Sequence, residues 1–402
     1  MAAGDGNFWQ RVDELQRTLL ESERISQLRH KFLSSLDNSA ENPLKQKIDR
    51  SSILRAIEDC TFQILTDICH GHPPVLVYED RSSWDNTSFS EEMGIKMKPA
   101  AKSRTTRFDN PVSLPKFALT LKLMSMIHLL VKTNTYSTKR DMYYQDTQLF
   151  GTQSVVDEII DNISCMLKVP RWCLKVLATS KGSIAGDLTF NEADGNFVDC
   201  SLSSAGVPVP SHVHGLYNLC TTAKFVLVVE KDATFQKLLD DGICRTLAPC
   251  IMVTGKGFPD LNTRLMVRKL WDTFHLPTFV FVDGDPHGME IMCVYKFGSK
   301  ALSFEAHNLT VPSVMWIGIL PSDIHRLQIP QNMLIPLKKS DFDKARDLSK
   351  RPYFQAQQAW KRELELLVAM GVKAEIQCLT SLSPTFLSEV YLPNKIRFGG
   401  WI

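Results

Sequence analysis

Long apolar runs are missing from this 402-residue chain. Its most apolar stretches, such as Phe225-Val226-Leu227-Val228-Val229, are strand-sized and fall well short of the ~20 residues that a spanning helix needs, so no membrane role is expected. The opening MAAGDGNFWQ has no basic region followed by an apolar stretch, does not read as a secretory signal, and leads us to expect a protein inside the cell. Paired cysteines are missing too. Ten cysteines stand singly, with no CxxC for a zinc ribbon or a redox dithiol, and free thiols are expected. His70 and His72 after Cys69, and His212 with His214, form close pairs but have no second ligand cluster at finger-like spacing; spacing leaves a metal site open without calling for one. There is little net charge, only +2, so a phosphate-binding role would need its Lys and Arg gathered on one face. No repeat or low-complexity tract points to a solenoid.

What is present fits an ordinary globular chain: 44% hydrophobic and 22% charged residues, with a length that suits two domains and an N-terminal arm. Phe8, Val12, Leu15 and Leu19 recur at helical spacing among polar residues, predicting an amphipathic N-terminal helix suited to a partner or to packing in a dimer. A polar linker at 37–47 and a second stripe of Ile53, Ile57, Ile64 and Ile68 follow. The polar, poorly periodic stretch 80–115 then predicts a separator. We expect an N-terminal extension over residues 1–110.

Phe117 to Val131 reads as a helix that Thr133-Asn134-Thr135 ends. Thr138 with Asp141 three residues on is a helix-capping pattern before a short helix through Tyr144, and Ser154 with Asp157 repeats it before Val155, Val156, Ile159, Ile160 and Ile163. Two β-like runs, 174–179 and 184–190, are expected to form a hairpin around Lys181-Gly182. Three helices and a hairpin are the order of a winged helix-turn-helix, which commonly docks on duplex DNA; a generic helical domain with a surface hairpin gives the same pattern. This domain is placed at 111–215. From 216 to 402 strands at 225–229, 250–253 and 278–282 alternate with helices at 235–239, 262–274 and 289–296, which predicts an α/β domain with a parallel sheet covered on both faces.

Two of those strands end in acids, Glu230 after the first and Asp283 and Asp285 in D-G-D-P-H-G after the third. Ligands of open α/β sheets gather beyond the carboxyl ends of strands, and three carboxylates there suit Mg²⁺; a lone DxD, by contrast, often only caps a strand or helix. The frame resembles the Toprim fold. In Lys139-Arg140-Asp141-Met142-Tyr143-Tyr144 a tyrosine hydroxyl can displace a deoxyribose oxygen at phosphorus, conserving the bond as a phosphotyrosyl ester. Arg140, one turn before Tyr144, can stabilise the phenolate and the phosphate. Alone, such a tyrosine pair also serves as a packing anchor.

The run K-R-D-M-Y-Y, then Q-L-F-G, V-V-E-K-D-A-T-F-Q, G-K-G-F-P-D, V-D-G-D-P-H-G-M-E-I and Y-L-P-N-K-I-R-F-G-G-W-I together resemble the family of meiotic recombination initiators and the A subunit of type IIB topoisomerase (topoisomerase VI), densely over 117–402 and loosely before. The resemblance implies Tyr144 as nucleophile, Tyr143 in a supporting role, Arg140 as catalytic arginine, and Glu230, Asp283 and Asp285 as Mg²⁺ ligands, with Glu230 also an acid or base. Gly284 stands where some relatives carry Ala. Lys256 and Phe258 of the G-K-G-F loop are expected to meet DNA. The family further implies meiotic double-strand cleavage with a 5′-phosphotyrosyl intermediate, double-stranded DNA as substrate, a homodimer whose composite sites each cut one strand, and a topoisomerase VI B-like subunit. The family's ATP-hydrolysing chemistry falls to that subunit, since this chain has no GxxxxGK[ST] loop. Nuclear, chromosomal localisation follows from the family alone. Two rival readings need no tyrosine chemistry: a Toprim nuclease acting by metal-dependent hydrolysis, and a non-catalytic winged-helix scaffold.

Overall fold

A computed structural model describes residues 49–402 apart from Glu92 and Ala248; the Phe8, Val12, Leu15, Leu19 stripe and the 37–47 linker lie outside the described residues. Helix α1 (Arg50–Cys69) buries Ile53, Ile57 and Ile64 along one face, while Ile68, expected in the same stripe, is exposed. It packs on α2 (Leu114–Thr133) and α4 (Gln153–Leu167), whose Leu123, Met124, Ile127, Val156, Ile159 and Ile160 form one core with Ile53 and Ile57. Among the described helices α2 alone is long and apolar enough to cross a membrane by length and composition, a longer apolar stretch than the strand-sized runs expected; its Leu123, Met124, Ile127 and Val131 are buried in this core while Leu114 and Leu129 are exposed. Asn134, in the left-handed region at φ 57°, ends α2 as the Thr-Asn-Thr turn predicts. Strand β5 (Ser137–Thr138) and the short α3 (Lys139–Tyr144) follow. Helix α4 starts after Thr152, not at the expected Ser154: the two hydroxyls lie 2.9 Å apart and pair with each other, so neither caps the helix.

The stretch predicted as a separator is folded. Strand β1 (Val75–Glu79) pairs with β4 (Ser103–Arg107), and β2 (Thr87–Ser90) with β3 (Gly94–Met97), both antiparallel. Few apolar residues mark this region, and those few are well used. Ile95 is 1% exposed, its N–H donates to Phe297 O at 2.8 Å, and Phe89 stands edge-on to Phe297 with centroids 5.2 Å apart. Asn86, also buried, ties the ribbon by donating to Asp80 O and accepting from Lys102 N–H.

The hairpin expected around Lys181-Gly182 does not form. Strand β6 (Val176–Leu177) runs parallel to β5, while β7 (Ser183–Gly186), buried along its whole length, pairs antiparallel with β13 (Cys250–Thr254). A strand covered on both faces finds its partner inside a sheet, not on a surface ribbon. Strands β8 (Thr189–Asn191), β9 (Phe197–Asp199) and β11 (Tyr217–Cys220) make a small antiparallel sheet.

With β10 (Val207–Pro208), β12 (Phe225–Val229), β14 (Thr278–Phe281) and β15 (Met315–Gly318), the main sheet has the order β10-β7-β13-β12-β14-β15, and its last four strands are parallel. Alternation along these strands splits the core in two. Val226, Val228, Ile251, Val253 and Val280 face α6 (Leu261–Phe274) and α7 (Pro286–Lys296), whereas Leu227, Val229, Met252 and Phe281 face α5 (Asp232–Asp240) and the C-terminal Leu387, Tyr391 and Leu392. Each such side chain contributes about 1.5–3 kcal/mol by burial, which fixes where the ends of β12 and β14 sit. Strand β16 (Ile335–Pro336), helix α8 (Lys339–Ser349) and strand β17 (Val372–Lys373), antiparallel to β16, complete that edge.

Candidate active site

Six residues of α3 carry the tyrosine pair. Thr138 Oγ1 accepts from Asp141 N–H at 3.0 Å and Asp141 Oδ2 accepts from Thr138 N–H at 3.2 Å, so the expected capping box is formed. Met142, fully buried, pins the helix to the helical core, and Lys139 Nζ donates to Asp161 Oδ1 at 3.1 Å. Tyr143 packs against that core and donates its hydroxyl to Gly151 O at 3.2 Å. Tyr144 points the other way. It is 64% exposed, its ring is tilted against that of Tyr143 with centroids 5.5 Å apart, and its hydroxyl makes no hydrogen bond among the described residues. Arg140, also exposed and without an ion pair there, lies one turn before Tyr144 on the same face.

The acids are built by the sheet. Glu230 closes β12, and its N–H donates to Phe281 O at 2.9 Å, which locks it beside the end of β14. Its Oε2 accepts from Asp283 N–H at 2.8 Å. Asp283 Oδ1 accepts from Ile376 N–H at 2.8 Å, and its Oδ2 is paired with Lys231 at 2.9 Å. Asp285 is the N-cap of α7, with Oδ1 accepting from Gly288 N–H at 2.8 Å and Oδ2 3.4 Å from Lys373 Nζ. Burial, then the charge of Asp283, pushes Glu230 up to about 7; burial also raises Asp283 against the opposing pull of Ile376 N–H and Lys231.

Three carboxylates, two of them (Glu230 and Asp283) held back from ionising first by burial, with two ammonium groups drawn onto the set, form a donor set whose chemistry fits a hard divalent cation. Their oxygens are turned to amide and ammonium donors, and no group of three or more His, Cys, Asp or Glu among the described residues converges closely enough to hold a metal in this conformation. Lys231 and Lys373 are the residues that sequence reading missed. Lys231 sits inside the motif V-V-E-K-D, where adjacency to Glu230 is a usable signal; Lys373 gives none.

Lys256 and Phe258 lie on the loop between β13 and α6, both exposed. Gly257 N–H donates to Glu230 O at 2.8 Å, so this loop is fixed to the acid-bearing strand end, and Lys256 Nζ pairs with Asp232 at 3.3 Å. No hydrogen bond or ion pair links α3 to Glu230, Asp283 or Asp285 among the described residues. At Gly284 a Cβ would meet Ile319 O at 3.3 Å and Ala374 O at 3.4 Å, a tight fit that an alanine reaches with small shifts. The histidine pairs are otherwise engaged: His212 bonds the Tyr136 hydroxyl at 3.1 Å and His214 stacks on Trp172 at 4.3 Å, while His70 and His72 are exposed. All ten cysteines are free thiols.

Two family profiles match the chain: the Toprim domain shared by Spo11 and the A subunit of topoisomerase 6, over residues 225–396, and "Type IIB DNA topoisomerase", over 115–176. Meiotic recombination protein SPO11 of Mus musculus is 56% identical over 352 residues, covering 88% of this chain and 89% of the relative. Its counterpart in Homo sapiens is 54% identical over the same shares. The A subunit of DNA topoisomerase 6 from Arabidopsis thaliana is 35% identical, covering 87% of this chain and 82% of the relative. An exposed tyrosine on a capped helix, an acid-ended parallel sheet and identity running through both agree: the chain belongs to the family of Spo11 and the topoisomerase VI A subunit.

Proposed function

We propose that this chain is a topoisomerase-like transesterase that makes meiotic DNA double-strand breaks, with Tyr144 as the nucleophile. The Tyr144 oxygen attacks a backbone phosphorus, its proton leaves to a base, the bond from phosphorus to the 3′ oxygen breaks, and that oxygen takes up a proton. The 5′ end is left joined to the protein as a phosphotyrosyl ester, and no water is consumed. The observation that carries this reading is the Tyr144 hydroxyl itself, exposed and without a partner among the described residues, while its neighbour Tyr143 is tied into the core.

Arg140 stabilises the phenolate and the pentavalent phosphate from one helical turn away. Glu230, Asp283 and Asp285 would hold Mg²⁺, which when bound supplies charge stabilisation to the phosphate oxygens. Glu230, raised to about 7, stands near the pH at which a group can exchange a proton with the leaving oxygen. Lys256 and Phe258 extend the DNA-facing edge, and α2, α3 and α4, with the β5–β6 pair in place of the expected hairpin, serve as the winged-helix docking unit. A homodimer in which Tyr144 of one copy serves the acids of the other, the arrangement that the family implies, gives two composite sites, one per strand. A topoisomerase VI B-like subunit brings the ATPase, and the N-terminal segment with Leu15 and Leu19 is its docking arm. The place of action is the nucleus, on chromosomes.

The test is Tyr144→Phe, assayed with duplex DNA, Mg²⁺ and the B-like subunit, with mass spectrometry naming any residue joined to an oligonucleotide. Loss of both cleavage and adduct is expected. Cleavage that survives without an adduct would mean hydrolysis, and an adduct on another residue would displace Tyr144; either outcome overturns the proposal.

A further inference from the structure

We infer that Lys373 is a positioning residue for the Asp285 carboxylate, within a supporting segment, residues 373–376, that runs on from β17 and aims the acids of the site. This rests on the reading of Glu230, Asp283 and Asp285 as cation ligands. The D-G-D turn is paired with a distant segment: Gly284 N–H donates to Ala374 O at 2.8 Å and Ala374 N–H donates back to Gly284 O at 3.3 Å. Antiparallel pairing at 284 and 374 sets Lys373 opposite Asp285 and Glu375 opposite Asp283.

The two cross-strand pairs then differ in sign. Lys373 faces Asp285 as an attractive pair, with Nζ 3.4 Å from Oδ2. Glu375 facing Asp283 would repel it, and Lys231 Nζ lies between them, 2.9 Å from Asp283 and 3.0 Å from Glu375. Ile376 N–H, at 2.8 Å, orients the other oxygen of Asp283. Each Asp therefore has one oxygen directed by an amide and the other by an ammonium.

Lys373 is itself held. Its Nζ lies 3.2 Å from Oδ1 of Asp341, which is 2% exposed and whose Oδ2 accepts from Lys338 N–H at 2.9 Å at the start of α8. A buried carboxylate stripped of its ammonium is costly, so Asp341 keeps Lys373 in place when a cation arrives. Lys373 thereby acts as an orienting outer partner of a ligand and not as a counter-ion that departs. Outer partners of metal ligands typically matter by about 10–100-fold in metal affinity.

Titration calorimetry of Mn²⁺ into the full, DNA-free chain tests this. Wild type should bind and Asp285→Asn should not; if wild type fails to bind, or Asp285→Asn binds equally, the ligand reading falls and takes the inference with it. Given a normal pair of controls, Lys373→Met should weaken binding about 10–100-fold and Lys373→Arg should recover most of the loss. Unchanged or tighter binding by Lys373→Met sinks the inference alone. Because that variant strands Asp341, the double variant Lys373→Met with Asp341→Asn is the companion: it should regain thermal stability yet still bind weakly, and a return to wild-type affinity would trace the loss to Asp341 and refute a positioning role.

Discussion

Replacing Glu230 by Gln should stabilise the protein at high pH in a metal chelator, although a buried charged residue of the site is being altered. Glu230 has its carboxyl raised from an ordinary 4.5 to about 7, first by burial and next by the charge of Asp283. The folded chain thus keeps this proton at pH values where the unfolded chain has already released it. Stability falls as pH rises through the window from 4.5 to 7, and the whole penalty is present above about 7. At about 1.4 kcal/mol for each pKa unit, the penalty is about 3.5 kcal/mol at most. Gln keeps a carbonyl that can accept from Asp283 N–H, so the variant removes the charge and leaves the hydrogen bond. Scanning calorimetry with EDTA should place its unfolding above that of wild type at pH 8, by about 1–2 °C for each kcal/mol recovered in a chain of this length, and nearly level with it at pH 4, below the unfolded value. Added Mg²⁺ should invert the order at pH 8, since the carboxylate then has its cation. A variant less stable than wild type at pH 8, or a difference that does not change with pH, would refute the reasoning.

Met142→Ala removes the one fully buried side chain of α3 and should cost about 2–5 kcal/mol if the helix stays docked, less if α3 simply opens; chemical denaturation gives the first number and amide exchange of Tyr143 and Tyr144 detects the second. Gly288→Ala would set a Cβ 2.3 Å from Asp283 O, a backbone atom that cannot swing away, so the D-G-D turn must shift. We expect about 1–3 kcal/mol of destabilisation together with weaker Mn²⁺ binding, read by calorimetry; unchanged values for both would show that the turn has slack.

Sequence reading reached the parts of this molecule whose rules are local. The buried strands at 225–229, 250–254 and 278–281 were legible because both faces are covered and the runs are continuously apolar. The capping box of α3 was legible because Thr138 and Asp141 are three residues apart. Pairing was not legible. The residues of β7 look like half of a hairpin until β13, more than sixty residues later, takes them up. Strands β2 and β3 are too short and polar for alternation to register, and their folding rests on contacts of Phe89 and Ile95 with Phe297. At the site, the placing of Glu230, Asp283 and Asp285 beyond the ends of neighbouring parallel strands was legible because each follows an apolar strand-sized run, whereas Lys373 reaches Asp285 across 88 positions and leaves no trace in either neighbourhood.

The ribbon of β2 and β3 has a consequence for any attempt to divide the protein. Gly94, at φ +73°, lies so near Phe297 that a Cβ would come within 2.5 Å of its carbonyl oxygen, and Arg81 reaches both Asn162 of α4 and Ala301 beyond the sheet helices. A fragment cut to begin at residue 111 would discard this brace and leave Phe297 and Tyr353 facing water, inviting self-association. Within this chain, then, the helical unit and the sheet are riveted from the N-terminal side, and any piece meant to fold alone has to keep residues 75–107 with the sheet.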